Sequence, residues 1–168
     1  MIAYDFHDEK VLKMVQRLKH PLKFGLYTMS QLPIMWFAGA RVLELTEKEV
    51  AVKLPFRWST KNPFNSVYFA AQMGAAELST GLAVLLPARY YGNISMLVTG
   101  AKSSFLKKAS TDVRFVFSEA QFAAEEVYKA IKTGQSRSFD LKTIGYDTKG
   151  DIVMEAIFNW SVKQRSLK

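Results

Sequence analysis

Apolar residues recur along the chain in several distinct rhythms, and each rhythm predicts an element. In DEKVLKMVQRLK (8–19), Val11, Leu12, Met14, Val15 and Leu18 fall at helical spacing. Asp8 is placed to cap this helix and Pro21 to stop it. The stretches MWFAGARVLEL (35–45) and EVAVKLPF (49–56) flank the polar turn TEKE. Val50, Val52, Leu54 and Phe56 alternate with Ala51, Lys53 and Pro55, which predicts a strand hairpin with one buried face. RWSTKNPFNS (57–66) is a polar loop whose Asn65 or Ser66 is suited to cap the next helix, Asn65 the better of the two.

That next helix, predicted over about 67–86 with Pro87 as its end, is apolar nearly all round. Such a helix is wrapped by other elements and does not lie on a surface. Beyond it, NISMLVTGAKSSFLKKA (93–109) reads as a long strand with a bulge at Gly100. TDVRFVFS (111–118) is a second strand with Val113, Phe115 and Phe117 inward. EAQFAAEEVYKAIKTG (119–134) is an amphipathic helix ending at Gly134. SRSFDLKTIGY (136–146) and DIVMEAIFNWSVK (151–163) are strands joined by the turn DTKG, and the last alternates from Ile152 to Val162. The order predicts one α+β domain over residues 1–168, a curled antiparallel sheet of about six strands round one central helix. Exposed sheet edges in such a fold favour a dimer, with a tetramer also open.

Composition adds exclusions. The 168 residues are 49% hydrophobic and contain no Cys, so disulfides, thiolate metal sites and a cysteine nucleophile are ruled out. MIAYDFHDEK carries acids where a signal peptide carries bases, and the expected location is cytoplasmic. The run 69–86 holds Gln72, Glu77 and two Gly, and reads as a buried helix and not a membrane span. The net charge of +8 admits nucleic acid, an anionic membrane surface or a phosphate-bearing substrate such as coenzyme A. The bases are scattered, the densest groups being Lys102, Lys107, Lys108 and Lys163, Arg165, Lys168. No nucleic-acid-binding motif accompanies them, and nucleic acid is not expected. His7 and His20 have no partners at ligand spacing, so no metal or other cofactor is expected. A G-x-S-x-G elbow and a phosphate-cradling glycine loop are both missing.

Glu77 is the only charged residue between Asn62 and Ala88. A carboxylate in an apolar helix is costly unless it is paired or does chemistry. Two readings stand side by side: an ion pair with a Lys or Arg across a dimer contact or a hydrogen bond to strand backbone, and a general base or nucleophile lining a pocket. Its helical neighbours Met73, Gly74, Thr80 and Gly81 include small residues that leave room for a ligand.

NPFNSVYFAAQMGAAELSTG and the ending GYDTKGDIVMEAIFNWSVK together resemble the hotdog-fold thioesterase superfamily, and within it the subgroup known as DUF4442. The resemblance covers roughly residues 30–163. It implies that Asn62 stands at the position of a loop Asn that orients water or holds the thioester, and Glu77 at that of the catalytic acid. Ser95 corresponds to a strand position that in some of these enzymes faces the acid. Tyr68, Phe69 and Ala70 occupy the place of a His-Gly-Gly segment, where the Ala70 N–H can still serve an oxyanion and Tyr68 can donate in place of the His. Lys102, Lys107 or Lys108 would meet coenzyme A phosphates. The implied activity is hydrolysis of an acyl-CoA or acyl-carrier thioester at a pocket between two subunits. The alternative is a non-catalytic hotdog protein that binds a fatty acyl chain or acyl carrier. A hotdog dehydratase is disfavoured, because no His follows His20.

Overall fold

The computed structural model describes residues 4–165; Lys168 of the basic C-terminal group lies outside them. Six antiparallel strands form one sheet in the order β1-β2-β4-β5-β6-β3. They are β1 (Arg41–Leu45), β2 (Val50–Leu54), β3 (Ile94–Phe105), β4 (Val113–Phe117), β5 (Arg137–Tyr146) and β6 (Ile152–Gln164). The sheet curls round α4 (Phe69–Tyr91), as the apolar character of that helix requires. By length and composition α4 would cross a membrane, but its apolar faces are covered by the sheet and by α5 (Ala120–Thr133).

Val50, Val52, Leu54, Val113, Phe115, Phe117 and Leu141 are fully buried in the core on the α4 side. Where α4 meets the sheet, Ser79 Oγ donates to Ala76 O (2.7 Å) and lies 2.8 Å from Thr143 Oγ. Both buried hydroxyls are thereby paired. The bulge expected at Gly100 is present, with the β3–β6 register shifting between Val98 and Gly100. Gly150, at a φ of 89°, closes the β5–β6 turn, and Gly134, at 67°, caps α5.

Three expectations are corrected. The apolar run 35–45 is not a continuous strand: α3 (Pro33–Ala38) precedes β1. Pro33 presets the first helical φ, and Gly39 in the left-handed region ends the turn, its N–H donating to Trp36 O. Pro21 stops α1 (Glu9–Lys19) but also opens a second helix, α2 (Pro21–Gln31). Asp8 caps α1 as expected, accepting from Lys10 N–H at 2.8 Å. Pro87 does not end α4, which continues to Tyr91. A proline inside a helix costs about 3 kcal/mol. Here Pro87 is buried and the last turn is held by aromatic contacts, Tyr90 on Tyr4 and Tyr91 on Tyr128.

Candidate active site

The start of α4 is set by its preceding loop. Tyr68 N–H donates to Thr60 O (2.7 Å) and Val67 N–H to Ala109 O (2.7 Å). Asn62 organises residues 62–66: its Oδ1 accepts from the N–H of Phe64 (3.0 Å) and Ser66 (3.1 Å). Its Nδ2 reaches Ser66 Oγ at 2.9 Å. The expected caps are therefore both engaged elsewhere: Ser66 belongs to the Asn62 loop, and Asn65 sits at a φ of 54° within it. Tyr68 is the residue at the cap position and supplies no side-chain bond. The first backbone bond into the helix runs from Gln72 N–H to Tyr68 O. The N–H groups of Phe69, Ala70 and Ala71 have no partner among the described residues, and they stand at the positive end of a 23-residue helix. Ala70 itself is exposed.

From this opening a stripe of α4 stays accessible through Ala70, Met73, Gly74 and Glu77 before the helix is sealed. The helix rise separates Ala70 from Glu77 by about 10 Å. Glu77 is half-buried, and its carboxylate has no hydrogen bond or ion pair among the described residues. Desolvation raises its pKa from 4.5 to about 7. A carboxyl poised near neutrality can exchange a proton with water at physiological pH. Among the described residues no strand backbone group hydrogen-bonds this carboxylate, so that scaffold reading is not met.

Trp160 of β6 closes the stripe behind Glu77. Its indole N–H donates to Thr80 Oγ (3.1 Å), and Thr80 Oγ donates to the Glu77 carbonyl (3.0 Å). In the sequence Trp160 is one position of the alternating last strand. An alternating strand shows that it points inward, but not that it meets Thr80, eighty residues away.

Two hollows flank the stripe. One, of about 650 Å³, is apolar and lies between α3 and α4, lined by Ile34, Met35, Phe37, Tyr68, Ala70 and Gly74. The other, of about 490 Å³, lies at the helix start, lined by Asn62, Phe69, Gln72, Phe105, Lys107 and Lys108 among others. Tyr68, Phe69 and Phe105 pack edge to face around that start, with ring centroids 4.9 and 6.3 Å apart. Gln72, which the sequence did not single out, donates to Val67 O (3.0 Å) and leaves its buried Oε1 without a partner.

The remaining sequence candidates fall apart from Glu77. Ser95 pairs with Lys163 in the β3–β6 register, on the face opposite buried Trp160 and Val162, and so does not face the acid. Lys102 pairs with exposed Ile157 on that outer face. Lys107 is committed to Asp147 (2.9 Å) and Asp151, whereas Lys108 stays at the mouth of the second hollow. Asn62 lines the second hollow, and no hydrogen bond joins it to Glu77. Among the described residues no cluster of three His, Cys, Asp or Glu could hold a metal ion.

Residues 23–162 match the family model described as "Domain of unknown function (DUF4442)". No curated protein matches the sequence. Solved structures do match in fold. A Pseudomonas aeruginosa protein of unknown function, described as a probable thioesterase, superposes with a TM-score of 0.71 at 19% identity, over 89% of this chain and 99% of its own. A Chlorobaculum tepidum protein of unknown function gives 0.72 at 12% identity, over 89% and 99%. A thioesterase from Haemophilus influenzae gives 0.64 at 11% identity, over 86% and 90%.

Proposed function

The chain belongs to the DUF4442 family and has the hotdog fold, and on that premise we propose that it hydrolyses acyl thioesters. The observation that carries this reading is Glu77: a desolvated carboxyl, unpaired among the described residues, one helical turn beyond Gly74, which lines an apolar hollow. In the proposed reaction Glu77 takes a proton from water, and the oxygen attacks the thioester carbonyl. The unpartnered N–H of Ala70 stabilises the developing oxyanion, helped by the helix dipole. The tetrahedral intermediate collapses with cleavage of the C–S bond. The proton passes from Glu77 to the thiolate, giving free acid and thiol. The carrier is a coenzyme A or acyl-carrier thiol, with Lys108 the best-placed base for its phosphate.

The proposed working form is a dimer. β3 pairs only with β6 along twelve residues, leaving its other edge unpaired, and carries one charge, Lys102. Such an edge is suited to pair with a second copy. Glu77 of one subunit would then act on a thioester held at the helix start of the other.

A second reading, an acyl-binding protein without catalysis, is favoured by Asn62, whose amide is spent on its own loop. The two readings separate on hydrolysis of an acyl-CoA chain-length panel by wild type and Glu77→Gln. Loss of at least a hundredfold in kcat supports Glu77 as base. Full activity in the variant removes it from the mechanism. Acyl binding without any hydrolysis by wild type establishes the second reading.

A further inference from the structure

Leu22, Leu26 and Met29 follow one another at i, i+4 and i+7 on α2, and all three are exposed. Ile34, Trp36 and Phe37 of α3 add to this surface, as does Trp58. Exposure reaches 75% at Leu22, 76% at Ile34 and 81% at Trp58. The Trp58 turn is held from behind: buried Thr60 accepts from Arg57 N–H and donates to Pro55 O (2.7 Å). Trp58 is thus displayed on a fixed turn, edge-on to Phe37 with ring centroids 5.9 Å apart. Single exposed apolar residues are ordinary, but a contiguous aromatic and aliphatic surface marks an interaction site.

The frame of this surface is basic. A hollow of about 570 Å³ joins Leu22, Trp36, Phe37 and Trp58, with Arg41 and Arg57 on its wall. A second, of about 490 Å³, lies beneath Leu26 and is walled by Arg17, Lys23 and Arg89. Neither is lined by an Asp or Glu. None of these five bases has a carboxylate within 4.0 Å among the described residues, although other Lys and Arg of the chain do. The sequence agrees, since residues 10–43 contain no acid at all.

We propose that this face docks on an anionic lipid bilayer. Leu22, Leu26, Trp36 and Trp58 enter the interfacial layer, while Arg17, Lys23, Arg41 and Arg89 meet headgroup phosphates; Arg57, whose guanidinium donates to Phe37 O and Ser59 Oγ, adds its charge to the face. Long basic side chains keep their charge at the phosphates while their stems lie along apolar surface, and tryptophan favours the same depth. A second copy is the poorer occupant, because two such faces would oppose five unpaired positive charges with five more. The unpaired β3 edge lies at the other end of the sheet from β1, the strand that α2 packs against. Phe37 and Ser59 line both the basic-walled hollow and the apolar one beside Gly74, so the two are neighbours. Docking does not depend on thioester hydrolysis and is read out separately from it.

The test is co-sedimentation and tryptophan fluorescence with vesicles of phosphatidylcholine alone and of phosphatidylcholine mixed with phosphatidylglycerol. The full chain binds the anionic vesicles with a blue shift, and binds phosphatidylcholine at least tenfold more weakly. Raising salt from about 0.1 M to about 1 M weakens anionic binding. Leu22→Glu with Leu26→Glu lowers binding at least tenfold at unchanged melting temperature and oligomeric mass. Lys23→Glu with Arg41→Glu, which leaves the apolar residues in place, does the same. Failure of wild type to bind anionic vesicles overturns the proposal, as does binding that neither pair of substitutions weakens. A change of oligomeric mass in the Leu22/Leu26 variant overturns it too, by making the face a contact between copies.

Discussion

The Glu77 carboxylate lies over Gly81: a Cβ built at residue 81 would sit 2.9 Å from Glu77 Oε1 and 3.3 Å from the Trp160 ring. The glycine is therefore the space that the carboxylate occupies. Gly81→Ala gains about 1 kcal/mol of helix propensity and spends part of it moving the flexible end of Glu77 and easing the indole. Its stability should stay within about 1 kcal/mol of wild type, while thioester hydrolysis falls at least tenfold because the carboxylate is displaced. Thermal unfolding and steady-state kinetics on one preparation check this. Unchanged kcat/KM would show that the carboxylate position does not matter to the reaction.

Glu77 also sets a pH dependence. Its pKa is raised from 4.5 to about 7 by desolvation. Between those values the folded chain holds a proton that the unfolded chain has lost, so stability falls as pH rises through that window. The full effect is at most roughly 3 kcal/mol. Glu77→Gln removes it, so the variant should be the more stable protein at pH 8, with the gap closing by pH 5. If Glu77 is the base, wild-type kcat/KM should fall about tenfold per pH unit below about 7. Denaturant titrations at several pH values measure the first effect. A gap that does not change with pH would mean that Glu77 is solvated and its pKa ordinary.

Much of this was legible from the residues alone, because period-two and helical patterns are written locally. The alternation in β4 and β6 and the apolar surround of α4 give the sheet and its central helix. Prolines were the weak point: Pro21 ends one helix and starts another, Pro33 opens one, and Pro87 is tolerated inside one. Local rules alone cannot separate these roles, since tertiary packing decides them. Glu77 stood out as a lone charge. Its indole neighbour depends on a contact distant in sequence, whereas the unpartnered N–H of Ala70 follows from its place in the first turn of the helix. Asn62 was visible as a loop residue, but its commitment to Phe64 and Ser66 follows from how the loop folds.

Thr80 is the sole acceptor of the buried Trp160 indole N–H among the described residues, at 3.1 Å. Thr80→Val keeps the shape but leaves that donor unpaired, which costs about 1–3 kcal/mol. Thr80→Ser retains the hydroxyl and should recover most of the loss. Urea denaturation of the two variants tests this. Equal stability of the Val and Ser variants would mean that the indole finds another partner.

Met35 is buried against the backbone of α4 at Gly74, where a Cβ would meet its Cε at 2.5 Å and its Sδ at 3.1 Å. Both residues line the apolar hollow between α3 and α4. Gly74→Ala therefore swings Met35 aside, an inexpensive move for a flexible thioether, while helix propensity gains about 1 kcal/mol. Stability should change little, but the hollow becomes shallower. Met35→Ala deepens it, at a cost of about 2–5 kcal/mol in stability. If the acyl chain lies there, Gly74→Ala should shift preference toward shorter chains and Met35→Ala toward longer ones, with the change appearing in KM more than in kcat. A chain-length profile that neither substitution moves would place the acyl group elsewhere, and the hollow at the helix start, beneath Phe69 and Phe105, would then be the site to probe.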